Sequence, residues 1–142
     1  MAELRFARSA LGPIIGATLS PAKVGLEAVT ERPVRHRCDV SLLIDTGAER
    51  SVIDETLIDG WGLVYVSASW AATINGTRPI RSFELALSLG HASAPLRIDS
   101  LIVMARRSPF HGVPYRGLLG RDVLDRVLFE YDGPHHRCRL SY

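Results

Sequence analysis

An all-β domain with one or two short helices is the fold class this sequence predicts, on three observations. Apolar residues alternate along Phe83, Leu85, Leu87 and Leu89, the period of a strand with one buried face. Short apolar runs such as Leu42-Leu43-Ile44, which stops at Asp45, and Leu101-Ile102-Val103 are too short for helices. Besides one alternative at Val24–Val29, two stretches carry helix signals. These are Glu55–Ile58 behind a capping Asp54, and Arg121–Leu128, where Val123, Leu124, Val127 and Leu128 make one apolar face.

The elements follow in order. Residues 1–12, mixed in charge and ending at Gly12-Pro13, read as an N-terminal arm, and residues 13–142 as one domain. Pro13–Leu19 reads as a first strand. Ser20–Pro33, with two prolines and a glycine, is either a wide hairpin loop or a short extra helix around Val24–Val29. Val34–Ile44 and Arg50–Ile53 are strands on either side of Asp45, and Leu63–Ser69 suits another. Trp70–Ile74 and Arg78–Arg81 face each other across Asn75-Gly76, a strong hairpin-turn pair. Leu96–Met104 is a strand, and Ala105–Gly117, with two prolines and two glycines, is a surface loop. Phe129–Tyr131 and Arg137–Tyr142 are strands on either side of a Gly133-Pro134 turn.

Bulk properties exclude several functions. The chain has 142 residues, 46% hydrophobic and 23% charged, an ordinary globular composition with enough length for a real core. A net charge of +2 argues against nucleic acid as the main partner, because phosphate binding needs a concentrated basic face. No stretch approaches a membrane span. Leu11–Leu19 is apolar but interrupted by Gly12, Pro13 and Gly16, which makes a poor signal core, so a cytoplasmic location is expected. Cys38 and Cys138 lie far apart without a Cys-x-x-Cys motif and read as two free thiols.

Leu42-Leu43-Ile44-Asp45-Thr46-Gly47-Ala48 carries the chemistry. A buried strand runs into a sharp loop, leaving one carboxylate on rigid support beside a hydroxyl and bare backbone. Downstream, Gly117-Leu118-Leu119-Gly120-Arg121-Asp122-Val123-Leu124 brings two apolar residues, Gly, Arg and an acid into a short helix. Together, in this order, the two stretches resemble the signatures of the retropepsin-like aspartic proteases, and the ending Leu128-Phe129-Glu130-Tyr131-Asp132-Gly133-Pro134 is similar to bacterial members.

The resemblance implies an acid-protease barrel with one lobe per chain, and an aspartic endopeptidase without metal or cofactor. Its chemistry needs two carboxylates sharing one proton over one water. With one Asp-Thr-Gly per chain, the second must come from a second copy, so a two-fold homodimer with Asp45 and Asp45′ at the axis is expected. Position by position, the resemblance gives Asp45 as the catalyst and Thr46 as a hydrogen-bonding residue across the axis. Gly47 becomes the residue along which the substrate passes, and Ala48 a small wall. Leu118-Leu119-Gly120 would pack beneath the Asp loop, and Arg121 would support the site from behind, paired within or between chains with Glu49. The hairpin around Thr73, Ile74, Asn75 and Gly76 takes the place of the flap, a mobile arm over the substrate. Its tip falls either at Asn75-Gly76 or further back, with Trp70–Thr73 reaching over the cleft.

Other clusters are weaker. His135-His136-x-Cys138 matches no zinc spacing and reads as a turn into a strand. No Gly-x-Ser-x-Gly elbow accompanies the five histidines. The expected partners are a second copy of the chain and a peptide or protein substrate, with neither nucleic acid nor membrane. The competing functions are a non-catalytic peptide-binding or dimerisation module on the same fold, and a protease whose one substrate is a partner or its own precursor.

Overall fold

Among the described residues, ten strands form two sheets. A computed structural model of the chain describes residues 1–22, 36–90, 93–107 and 109–142. The strands are β1 (Glu3–Ala7), β2 (Ile14–Pro21), β3 (Cys38–Ile44), β4 (Val52–Asp54), β5 (Ser67–Thr73), β6 (Gly76–Leu89), β7 (Leu96–Arg106), β8 (Gly117–Leu119), β9 (Leu128–Asp132) and β10 (Arg137–Ser141). A 3-10 helix spans Glu55–Ile58, and one α-helical turn, α1, spans Arg121–Leu124. The larger sheet runs β2-β3-β8-β4-β7-β6-β5, and a further pairing of β2 with β6 closes its first six strands into a barrel. The smaller sheet runs β1-β10-β9.

Alternation fixes which face is buried. Phe83, Leu85, Leu87 and Leu89 point inward from β6, with Leu85 and Leu89 wholly buried. They meet Ile15, Ala17 and Leu19 of β2, Leu42 and Ile44 of β3, and Leu101 and Val103 of β7 in one core. Each fully buried side chain of this kind contributes on the order of 2 kcal/mol. No helix among the described residues is long and apolar enough to cross a membrane.

Three elements differ from expectation. The expected helix Arg121–Leu128 stops after Leu124. Arg126 N–H and Val127 N–H bond back three residues, to the carbonyls of Val123 and Leu124. Leu128 then pairs with Ser141 at the start of β9 and is 57% exposed, because a strand ladder with β10 satisfies more backbone here than another helical turn would. The expected strand Leu63–Ser69 begins only at Ser67. Gly62, at φ +68°, turns the chain, and the exposed Val64, Tyr65 and Val66 run outside the ladder, with Val66 N–H bonded to the Ser82 carbonyl of β6. Residues 1–12 contain β1, which pairs along its whole length with β10, Glu3 opposite Ser141 and Ala7 opposite Arg137. Most of the Ser20–Pro33 stretch lies outside the described residues, with Ser20 and Pro21 ending β2.

Candidate active site

Asp45 is held by strands on both sides. β3 and β8 run parallel, with Leu43 beside Leu118 and Ile44 beside Leu119. Ile44 N–H donates to Pro13 carbonyl at 2.9 Å, and Asp45 N–H to Leu119 carbonyl at 3.0 Å. The loop then turns on itself. Ala48 N–H donates to Asp45 carbonyl at 3.2 Å, and Gly47 N–H to Asp45 Oδ1 at 2.9 Å. A charge-assisted bond of this kind fixes the carboxylate's rotation. Asp45 Oδ2 makes no hydrogen bond among the described residues. Asp45 is half-buried, while Thr46 and Gly47 are exposed. The result is a fixed carboxylate with one oxygen free, in reach of solvent.

The second stretch clamps this loop from behind. Arg121 N–H donates to Ala48 carbonyl at 2.8 Å and Asp122 N–H to Glu49 carbonyl at 3.1 Å. Gly120 sits so close that an added Cβ would lie 2.6 Å from the Arg50 carbonyl carbon and 3.0 Å from Ala48 O. No side chain fits there, because both neighbours are backbone.

Arg121 supports the loop within the chain, and the pair with Glu49 expected within or between chains is not formed inside the chain. Within the chain its Nη1 donates to Thr46 carbonyl at 3.0 Å rather than to Glu49, whose side chain is exposed. A guanidinium that caps a loop carbonyl needs no acid. Ser51 and Asp122 were missed as site residues. Buried Ser51 donates N–H and Oγ–H to Asp122 Oδ2 and Oδ1 at 2.9 and 2.7 Å, and its Oγ accepts Gly120 N–H at 3.0 Å. The only hint in the sequence was an acid at the opening of a helix, which reads equally well as a surface charge.

The β5–β6 hairpin ends in a two-residue turn. Thr73 pairs with Gly76, so the tip is Ile74-Asn75, one residue before the expected Asn75-Gly76. Gly76, at φ +97°, takes the left-handed angle that closes the turn. Ile74 is fully exposed at this tip. Trp70, 70% exposed, lies opposite Pro79 on the hairpin face that continues through Arg81 into buried Phe83.

The His135-His136-x-Cys138 side chains go separate ways. His135 Nδ1 lies 2.8 Å from Asp132 Oδ2, His136 Nδ1 accepts from Arg8 Nη2 at 2.5 Å, and Cys138 is buried. Among the described residues no three His, Cys, Asp or Glu side chains are grouped to hold a metal ion. Cys38 and Cys138 are both free thiols, and burial pushes both up from the ordinary thiol value.

No family model matches the chain, and no curated protein matches it. Among solved structures it is similar to a retropepsin-like aspartic protease from Rickettsia conorii, with TM-score 0.56 and 15% identity over 98% of this chain and 90% of that one. The chain has the retropepsin-like fold. A second similar structure is the retroviral protease-like domain of Ddi1 from Leishmania major, with TM-score 0.48 and 12% identity over 90% of this chain and 92% of that one. In this retropepsin-like chain, Asp45 occupies the exposed end of a barrel strand, braced by the loop that follows β8.

Proposed function

We propose that the chain is an aspartic endopeptidase acting as a homodimer, in which Asp45 and Asp45′ hold one water between them. The observation that carries this reading is the Asp45 carboxylate, fixed through Oδ1 by Gly47 N–H with Oδ2 free, on the retropepsin-like fold. A single carboxylate is not enough. Two of them about 3 Å apart cannot both ionise, so they share one proton. The ionised member takes a proton from water as it attacks the peptide carbonyl, and the protonated member donates to the carbonyl oxygen. Collapse of the tetrahedral intermediate breaks the C–N bond as a proton passes to the amine.

The other residues follow from this arrangement. Thr46, exposed next to Asp45, bonds across the two-fold axis, and Gly47 lets the substrate backbone lie close. Ala48 walls the cleft, and the hairpin tip at Thr73–Gly76 closes over the substrate as a flap. The terminal sheet limits how two copies meet. β10 has β1 on one edge and β9 on the other, so a partner strand cannot insert beside it. The dimer is built instead from the Asp45 loops, the hairpins and the outer edges of β1 and β9.

One observation favours a binding module instead. β5 is an edge strand with exposed side chains and accepts an added peptide strand without chemistry. The test that separates the readings is digestion of a proteome-derived peptide library from about pH 4 to 7, with wild type and Asp45→Asn in parallel. Cuts made by wild type and not by Asp45→Asn establish the peptidase. Cuts made equally by both overturn it.

A further inference from the structure

We infer that an arginine-lined pocket beside the β5–β6 hairpin binds a carboxylate side chain, Asp or Glu, of the peptide substrate, at a fixed distance from the bond cut. This rests on the peptidase reading above. The pocket, about 510 Å3, is lined by Arg78 and Arg81 of β6, by Arg106 at the end of β7 and by Arg107 just beyond it.

The charges do not cancel. Glu55 is the acid within the lining; it is buried, ion-paired with Arg81, and 3.8 Å from Arg107 Nη1. Arg107 is already held by Asp59, with Nη1 to Oδ1 at 3.0 Å and Nη2 to Oδ2 at 2.7 Å. Arg78 and Arg106 have no acidic partner among the described residues, although both line the same space. Two guanidinium groups are therefore left for an anion, and their planar forks match a carboxylate better than any neutral group. Arg81 is also held in position, its guanidinium 5.6 Å from the Phe83 ring centre and 5.5 Å from that of Tyr65. Arg81 and Arg107 are thus held before the ligand arrives.

The pocket shares the hairpin proposed above as the flap. Asn75, at the hairpin tip, and His111 of the β7–β8 loop both line it. The same loop runs into β8, whose Leu119 carbonyl holds Asp45 N–H. On this proposal a peptide held under the hairpin also meets the pocket, and the anion that an unmodified peptide carries along its length is a carboxylate.

The test uses the full chain as Asp45→Asn, which binds without cutting, beside the same chain carrying Arg78→Gln and Arg106→Gln. Both are exposed to a proteome-derived peptide library, and retained peptides are sequenced at low and high salt. Circular dichroism melts check that the added changes leave the fold intact. The expected result is enrichment of Asp or Glu at one offset, about two- to fivefold, the scale of a partly screened ion pair. This enrichment disappears in the arginine variant and falls as salt rises. Retention without acidic enrichment, enrichment unchanged by the two substitutions, no retention at all, or selection of phosphopeptides instead would each overturn the proposal. The peptidase reading is judged separately by wild-type cleavage. Cutting without acidic preference removes the pocket and keeps the enzyme, and acidic retention without cutting does the reverse.

Discussion

Ser51 and Asp122 form a closed pair, in which one carboxylate accepts both the backbone N–H and the hydroxyl of a single residue, at 2.9 and 2.7 Å. Because Ser51 Oγ also accepts Gly120 N–H at 3.0 Å, the pair joins the strand leaving the Asp45 loop to the segment that opens α1. Ser51 is 3% exposed, so water cannot replace what it provides. Ser51→Ala leaves the Gly120 N–H and one carboxylate oxygen without this partner and is expected to cost about 1–3 kcal/mol. Urea unfolding checks this, with a lowered midpoint at an unchanged slope. A midpoint equal to that of wild type would show that the pair carries no stability.

Gly120→Ala acts on the same junction by a different route. The new methyl group would meet the Arg50 carbonyl carbon and oxygen at 2.6 and 2.8 Å, distances at which the backbone must move. The segment carrying Arg121 is then pushed off the Asp45 loop. Overpacking of this kind costs about 1–3 kcal/mol. Thermal melts should fall, and any cleavage by the soluble variant should fall further than its folded fraction. Wild-type melting in Gly120→Ala would show that the junction opens freely.

The barrel was legible because its strands announce themselves through alternation and punctuation. Phe83 to Leu89 reads as one buried face, and Asp54 caps Thr56 N–H at 3.0 Å as its sequence position suggests. What failed was decided by tertiary pairing. Val127 and Leu128 fit a helical face, but the backbone of Leu128 is taken by Ser141, a residue near the other end of the fold's last hairpin. Leu63 to Ser69 reads as a strand with alternating apolar and small residues, yet among the described residues the ladder with β6 starts only at Ser67. At the site, the Asp45 loop and Arg121 were legible from two short motifs. Ser51 was not, since an isolated Ser carries no pattern and its role exists only because Asp122 folds back onto it.

Acid stability follows from exposed carboxylates that have basic partners. Hydrogen bonds from Arg107 hold Asp59 below the ordinary carboxylate range, those from His135 do the same for Asp132, and those from Arg5 for Glu3. A folded-state pKa below the unfolded one gives stability that is present above the unfolded value and is lost as pH falls through the folded one. Stability contributed by these pairs is therefore expected to hold from neutral pH down to about pH 4 and to decline below it. Urea midpoints measured across that range check this, with Asp59→Asn showing a shallower acid loss. Identical acid profiles for Asp59→Asn and wild type would remove Asp59 from the account.

Arg121→Ala removes the donor to Thr46 carbonyl while leaving the backbone bond from Arg121 N–H to Ala48. Because the side chain is exposed, the stability cost is expected to be about 1 kcal/mol or less. The loop that carries Thr46 loses its brace, so turnover should drop while the order of preferred peptides stays the same. A reordered cleavage preference would mean that Arg121 touches substrate, and unchanged melting with unchanged turnover would mean that the brace is redundant.

Mixing experiments test whether each active unit needs two copies of Asp45. If every cleaving unit holds one carboxylate from each chain, a dimer of wild type with Asp45→Asn lacks the ionisable pair and is inactive. After subunit exchange at fixed total protein, activity should then fall as the square of the wild-type fraction, to about a quarter at equal mixing. Gly47 N–H donates to Asp45 Oδ1 and so holds the Asp45 loop. In Asp45→Asn it meets an amide oxygen of the same reach, and the variant is expected to fold and exchange as wild type does. Size-exclusion profiles and melts of the variant verify this before mixing. A linear fall to one half would mean that single chains cut on their own, which would sink the shared-carboxylate mechanism while leaving Asp45 as the catalyst.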